Sequence, residues 1–369
     1  MKVLVVSHAA VIPLNQEPFD ALARAGADVV IVAPRALSTD IRGRVGFEPL
    51  AGSAARALTL PVSLGGYRRA LGGQRGIHAL VYRGLRAAIA REHPEVIFCE
   101  EEPFSFAAMQ VVRAAGSIPV VVHENQNIER RLPPPFQQIR RLVLARAAGV
   151  TVRNRAATDL VRAHGFEGPI GALPHAVDPA RFATKQRLID LPTPVIGFVG
   201  RLVPEKGIMD LIMAMERSAT GSLLVIGDGP LFDQARARAA RIPNRFTGAL
   251  AHDQVPAWYA SMDVVAVPSR TTSTWMEQFG RIVIEANAAG VPVVVSDSGE
   301  LPNTVAATGG GVVVRESDVA GLADALAALG ADPDRRAALG ATGRAAVEEN
   351  FTPAAVAARL LEFLGEVAA

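Results

Sequence analysis

The chain of 369 residues has a single cysteine, Cys99, so no disulfide forms within it. A lone thiol at the end of the apolar run Val96–Phe98 reads as a buried structural group in a reducing, cytoplasmic setting. Lysine is scarce: Lys2, Lys185 and Lys206 stand among 38 basic residues. Aromatic residues make up 5% and the arginines are scattered, which argues against a nucleic-acid partner. Half of the residues are apolar, yet no run approaches the length of a membrane span. The opening MKVLVVSHAA is too short for a signal peptide and reads as a first buried strand. No G-x-G-x-x-G follows a predicted strand, which sets a dinucleotide oxidoreductase aside.

The net charge of +2 hides an asymmetry. Residues 1–177 carry 21 Lys/Arg against 14 Asp/Glu, and residues 178–369 carry 17 against 22. A basic first half suits an anionic partner or peripheral contact with the inner face of an anionic membrane. Arginine-rich composition gives the same excess with no function attached.

The length suits two domains. In the first half, 2–7, 28–32, 95–99, 119–123 and 149–152 read as strands. Helices fit near 15–25, 76–92, 104–115, 135–147 and 154–164. The second half repeats the pattern, with strands at 194–199, 222–226, 245–246, 264–267, 291–295 and 311–314. Its helices fit at 207–218, 230–241, 255–261, 280–289, 319–329 and 333–349. Continuous apolar strands separated by helices imply an α/β fold with two Rossmann-like, doubly wound parallel sheets covered on both faces. The predicted domains are 1–177 and 178–351, joined by a Pro-rich linker over 176–193. A last helix opens at Thr352-Pro353, with the proline suited to a first helical turn. Gly43 to Gly73 is predicted to be an irregular, mobile loop. Ligands of such sheets sit at the carboxyl ends of the strands, where Ser7-His8, Glu100-Glu101-Glu102 and His123-Glu124-Asn125 fall.

Two stretches of the second half carry chemistry. In Pro268 to Pro302, a strand ends at Pro268, a polar loop follows, and a helix over about 280–289 stops at Gly290. The N–H groups of Gly280, Arg281 and Ile282 would face an anion at its start. Glu277 precedes that end and Glu285 lies about two turns along, so a diphosphate fits between two carboxylates that bond hydroxyls. An amphipathic helix with two solvated glutamates is the plain alternative. The second stretch, Val195 to Gly207, ends a strand at Gly200 and projects Arg201 and Lys206 from the following loop. A compact cation kept there suits a phosphate.

GRLVPEKG (Gly200–Gly207), IGDGP (Ile226–Pro230) and EQFGRIVIE (Glu277–Glu285), continued by ANAAGVPVVVSDSGELP, resemble the retaining glycosyltransferases of family four. Weaker echoes are EEPFS (Glu101–Ser105), HENQN (His123–Asn127) and AVDPARF (Ala176–Phe182). The resemblance implies the GT-B fold, two Rossmann-like domains facing across a cleft, with the helix over 352–369 packing back on the first. It implies sugar transfer from a nucleotide-diphosphate sugar to a hydroxyl acceptor with retention, without a metal or other cofactor. Arg201 and Lys206 would clamp the diphosphate, with Gly200, Phe279, Gly280, Arg281 and Ile282 lining it. Glu285 would take the ribose, Glu277 the transferred sugar, and His123 would stand near the donor sugar as a catalytic-site residue. The acceptor, whether a saccharide, lipid-linked or a small molecule, would meet the loops of the first domain.

The chain departs from the family in three places. The loop after the first strand (Ser7–Asn15) lacks the usual glycines, Arg281 stands for an aliphatic residue, and His175-Ala176 stands for Asn-Gly. Asp332-Pro-Asp334 imitates a metal-binding DxD but is placed to cap a helix, so no metal site is assigned. The rival readings are a nucleotide-sugar epimerase on the same fold and a non-catalytic sugar-nucleotide-binding protein. A phosphorylase that uses a phosphate cofactor would need a lysine after Lys206, and none exists.

Overall fold

The computed structural model describes residues 1–39, 43–64 and 77–369. The chain divides into two compact units, Met1–Pro174 with Pro353–Ala369, and His175–Thr352. The boundary therefore falls at 174/175 rather than at 177/178. Val177 and Phe182 are buried in the second unit's core, and the Val177 N–H bonds the Phe351 carbonyl at 2.8 Å.

The first unit contains β1 (Lys2–Val6), α1 (Glu17–Arg24), β2 (Asp28–Pro34), β3 (Ala36–Thr39), β4 (Gly43–Gly46), β5 (Arg56–Leu60), β6 (Val62–Leu64) and β7 (Leu80–Tyr82). It continues with α2 (Leu85–Glu92), β8 (Val96–Cys99), α3 (Phe106–Ala114), β9 (Val120–Glu124), α4 (Phe136–Arg146), β10 (Gly149–Val152), α5 (Arg155–Ala163) and β11 (Ile170–Ala172). Seven of these strands form one parallel sheet in the order β11-β10-β9-β8-β1-β2-β5. Val3, Leu4, Val5 and Val6 are wholly buried because helices cover both faces, as their unbroken apolar run requires.

Part of the sequence reading is corrected here. The segment from Gly43 is irregular only in part: β3 and β4 form an antiparallel ribbon, residues 47–55 form no helix or strand, and β5 adds an edge strand beside β2. The remainder of the expected loop, from 65 to 73, lies outside the described residues. The helix expected over 76–92 begins only at Leu85, since Leu80–Tyr82 pairs antiparallel with Val62–Leu64; Gly76 itself is outside the described residues. Gly84, in the left-handed region at φ 87°, makes the turn into that helix.

The second unit contains β12 (Val195–Val199), α6 (Ile208–Ser218), β13 (Ser222–Ile226), α7 (Phe232–Arg238), β14 (Asn244–Phe246), α8 (Val255–Trp258) and β15 (Val264–Val267). Then follow α9 (Arg281–Ala288), β16 (Val293–Ser296), α10 (Leu301–Thr308), β17 (Gly311–Val314), α11 (Val319–Ala331) and α12 (Pro333–Asn350). Its sheet is parallel throughout, in the order β14-β13-β12-β15-β16-β17. Asp332 caps α12, its carboxylate accepting the Arg335 N–H at 2.9 Å. The final helix, α13 (Pro353–Ala368), returns to the first unit and packs on α1. Phe363 lies over Gly149 and Gly171, where a Cβ on Gly171 would sit 2.8 Å from the ring.

Candidate functional site

In the second unit, the candidate groups lie beyond the carboxyl ends of β12 and β15. β12 ends at Val199, and Gly200–Val203 leads into one tight turn, Pro204–Lys206. Gly207 then opens α6 at φ 70°, where a Cβ would stand 1.8 Å from the Pro268 carbonyl oxygen. Only glycine fits, so the two loops touch through their backbones. The contact is reinforced: the Arg270 N–H bonds the Glu205 carbonyl at 2.8 Å, and the Arg270 side chain makes a two-pronged ion pair with buried Asp210. Sixty residues separate that pair, and each lies in a different loop–helix.

This bracing brings Lys206 to Glu277. The Lys206 ammonium donates to Glu277 Oε2 at 2.7 Å, and the Ser269 hydroxyl donates to the same oxygen at 2.9 Å. The ammonium also lies 4.8 Å from the centre of the Trp275 ring. The lysine side chain is 25% exposed and the glutamate 13%, so the pair is half-open to solvent. Arg201 is exposed beside it in sequence. Gly280, at φ 76°, opens α9, and no described side chain caps that helix, which leaves its first N–H groups for a ligand.

Glu285 is buried and held at both oxygens. Tyr259 donates to Oε2 at 2.9 Å, and the Arg281 guanidinium stands 2.8 Å from Oε1. Burial and the Glu285 carboxylate push the Tyr259 hydroxyl well above its ordinary pKa, so it stays a donor. Arg281, its side chain 36% exposed, thus reaches Glu285 while remaining open to solvent. The Phe279 ring is turned into the core against His175 and Phe351, at 5.3 and 6.2 Å between centres. A ligand at Phe279 would meet backbone, since the ring is buried. Ile282 likewise packs on the core.

The first unit's carboxyl edge is arranged differently. His123 is wholly buried. Its Nδ1 lies 2.8 Å from the Thr151 hydroxyl, and its Nε2 lies 3.0 Å from Asn125 Oδ1. Burial and the neighbouring Arg153 hold its pKa well below the ordinary value, so the ring is neutral. Both nitrogens thereby have partners within the first unit. Its more accessible partners are Asn125 and Arg153, whose Nε donates to Asn125 Oδ1 at 2.6 Å.

The acidic run is also internal. Glu100 accepts from Ser7 at 2.7 Å, with Arg153 at 3.7 Å. Glu101, 2% exposed, accepts the His8 N–H at 2.8 Å, pairs with His8 Nδ1 at 2.6 Å, and accepts from Tyr82 at 3.2 Å. Glu102 and Glu124 bond each other, and burial raises the pKa of both. These carboxylates bond one another and Ser7, His8 and Tyr82.

Sequence reasoning missed Ser269, Trp275, Tyr259 and the Arg270–Asp210 brace. Trp275 left a signal, a large aromatic alone in a Ser/Thr-rich loop two residues before Glu277. Among the described residues, no three His, Cys, Asp or Glu converge as a metal site. Among them, too, no helix is long and apolar enough to cross a membrane.

Two parallel α/β units, the second presenting a lysine–carboxylate pair and an uncapped helix start at its sheet edge, define a GT-B type of nucleotide-sugar enzyme. Residues 180–346 match the family described as glycosyl transferases group 1, and residues 17–174 match the glycosyl transferase 4-like domain. The chain belongs to this glycosyltransferase family. It is 33% identical over 303 residues to a GDP-mannose-dependent alpha-(1-6)-phosphatidylinositol monomannoside mannosyltransferase of Mycobacterium tuberculosis, covering 76% of this chain and 78% of that one. It is 34% identical over 226 residues to a 2-deoxystreptamine glucosyltransferase of Streptomyces kanamyceticus, covering 56% and 57%. Among solved structures, sucrose-phosphate synthase from Thermosynechococcus elongatus superposes with a TM-score of 0.70 at 19% identity, over 100% of this chain and 99% of the other.

Proposed function

We propose that this glycosyltransferase transfers a hexosyl group, mannose from GDP-mannose in the first instance, to an acceptor hydroxyl with retention of anomeric configuration. The observation that carries the reading is the Lys206–Glu277 pair, half-open at the start of α9, with Glu285 held in place two turns further on. The mannosyltransferase relative's name supports the donor.

In the reaction, the bond from the anomeric carbon to the phosphate oxygen breaks and its electron pair stays on the diphosphate. The acceptor oxygen bonds the anomeric carbon on the same face, and its proton passes to the departing phosphate. Positive groups must therefore face the phosphate, and no strong base is needed. Lys206 exchanges Glu277 for the diphosphate, joined by exposed Arg201 and the N–H groups of Gly280, Arg281 and Ile282. Released from the ammonium, the Glu277 carboxylate accepts from hydroxyls of the transferred sugar. Glu285, steadied by Tyr259 and Arg281, accepts from the ribose. These fixed cations and N–H donors supply the charge that a metal would bring, so the proposal includes no metal and no further cofactor. The first unit supplies the acceptor side, where His123 positions Asn125 and Arg153. Its basic excess suits peripheral contact with the cytoplasmic face of an anionic membrane.

The test is a screen of GDP- and UDP-sugars with candidate acceptors, the product's anomeric configuration being read by NMR. An α-linked product from an α-configured donor is expected. An inverted linkage contradicts retention, and an epimerised nucleotide-sugar formed without any acceptor contradicts transfer.

A further inference from the structure

When a diphosphate displaces Glu277, Lys206 loses the partner that fixes it. A four-carbon stem ending in a hydrated ammonium would then sweep through solvent, and its charge would act on the phosphate only part of the time. A second partner stands at the ammonium: the centre of the Trp275 ring lies 4.8 Å from Nζ. We propose that Trp275 is a positioning residue for donor binding. It holds the Lys206 ammonium at the phosphate site while the hydrogen-bond partner changes from carboxylate to diphosphate. The inference rests on the transferase reading, in which Lys206 meets the diphosphate, and adds a residue to that site.

The contact is of a kind that survives the exchange. A ring face attracts a cation through its quadrupole and takes none of the three N–H donors of the ammonium. The bond to Glu277 Oε2, 2.7 Å long, can therefore give way to bonds with phosphate oxygens while the ring contact persists. A second carboxylate in the ring's place would also hold the lysine, but it would repel the incoming diphosphate. An uncharged ring does not.

The ring is itself held from outside the ion pair. Thr272 folds the loop on itself: its N–H donates to the Trp275 carbonyl at 2.7 Å, and its hydroxyl accepts the Trp275 N–H at 3.0 Å. Thr271 donates its N–H to the Glu316 carboxylate at 2.9 Å, and its hydroxyl lies 2.9 Å from that of Ser298. These four bonds involve neither Lys206 nor Glu277, so opening the ion pair leaves them intact. The placing also differs from that of a core tryptophan. Trp258, the chain's other tryptophan, packs against the core of the second unit, whereas Trp275 is half-buried behind the exposed residues 271–274.

The scarcity of lysine supplies the probe. The full chain, labelled with carbon-13 at lysine Cε, should give three NMR signals, from Lys2, Lys185 and Lys206, with Lys206→Ala assigning the third. The ring current of Trp275 should displace the Lys206 Cε protons upfield, both in the free protein and with a saturating nucleoside diphosphate. The titrant is GDP or UDP, whichever the wild-type chain binds more tightly. In Trp275→Leu the displacement should vanish while Lys2 and Lys185 keep their positions, which shows that the variant folds. By isothermal titration, Trp275→Leu should bind the nucleoside diphosphate about three- to tenfold more weakly, the scale of a cation–π contact. Trp275→Phe and Trp275→Tyr should keep most of the wild-type affinity. In the Lys206→Ala background, Trp275→Leu should cost nothing further, because the ring acts only through the lysine. The inference is overturned if the nucleoside diphosphate abolishes the upfield displacement in the wild-type chain, if Trp275→Leu binds as tightly as wild type, or if its loss adds in full to that of Lys206→Ala. Any of these, with nucleoside diphosphate still bound by the wild-type chain, removes Trp275 alone and leaves the transferase reading standing. A wild-type chain that binds neither GDP nor UDP sinks the donor reading and the inference with it.

Discussion

The two units share a parallel sheet and a functional edge, but they treat charge at that edge in opposite ways. In the second, Lys206 and Glu277 pair at 2.7 Å with the lysine a quarter exposed. In the first, His123 is wholly buried, Glu101 is 2% exposed, and each is bonded by its neighbours. An ion pair still partly open to solvent contributes little to stability, so a diphosphate can displace it at low cost. A buried, satisfied network is costly to open and therefore fixes geometry. The first arrangement suits a group that changes partner during turnover, and the second suits groups that hold a loop still. The difference lies in solvent access, since residue types are much the same at both edges.

The comparison is broken most forcefully at Lys206. Losing a charge-assisted contact to the diphosphate costs about 1.5–3 kcal/mol, so Lys206→Ala should lower kcat/KM roughly 10- to 150-fold. Steady-state kinetics with the true donor decide this, and an unchanged kcat/KM would remove Lys206 from the site. Glu277→Ala comes next. If its carboxylate serves the transferred sugar, turnover should fall by about tenfold or more while nucleoside-diphosphate affinity holds or improves, because the lysine loses its resident partner. A large loss of diphosphate affinity in that variant would contradict the exchange.

A buried positioning residue should give a smaller effect. His123→Ala should lower turnover about tenfold, equivalent to about 1.4 kcal/mol of transition-state stabilisation, and Thr151→Val should move it in the same direction by a smaller factor. Normal turnover in His123→Ala would mean that its network leaves the reaction untouched.

The smallest effect concerns pH. Burial opposes charge on His8, but the Glu101 carboxylate outweighs it and the net shift is upward. A histidine whose pKa rises on folding contributes stability that is fully present below its unfolded value, about 6.5, and is lost as pH rises through the folded value. His8→Gln should therefore destabilise the protein at pH 5.5 and progressively less above pH 7, read as melting temperature against pH. NMR titration of His8 below 6.5, or a pH-independent loss, would contradict the pairing.

Much of this was legible in the sequence, unevenly. Unbroken Val/Ile runs such as Lys2–Val6 and Val264–Val267 mark buried parallel strands because a two-sided interior admits little else. Gly207 and Gly280 stand out because left-handed backbone at a loop–helix junction demands glycine. By contrast, β5 was hidden in a Gly-rich stretch, where an edge strand half-exposed to solvent needs no apolar run. α10 was missed because Pro302 reads as a breaker although it sits in the first turn, where it is tolerated. The burial of His123 was hidden for a different reason. A histidine at a strand end looks available in sequence, and only the fold shows Thr151, 28 residues away, taking its second nitrogen. Arg281 met the same limit, since an i,i+4 pair with Glu285 was visible but Tyr259 on the other oxygen was not.

The central claim is that the donor's nucleoside diphosphate is held by the second unit's exchangeable pair and Glu285, without help from the buried network of the first. Calorimetric titration of GDP into the wild-type chain, Lys206→Ala, Glu285→Ala and His123→Ala tests it most directly. The account predicts a loss of at least tenfold for Lys206→Ala and Glu285→Ala, with His123→Ala within about threefold of wild type, since a charge-assisted contact is worth about 1.5–3 kcal/mol. Equal affinity in wild type and Lys206→Ala, or a loss in His123→Ala as large as in Glu285→Ala, would contradict it.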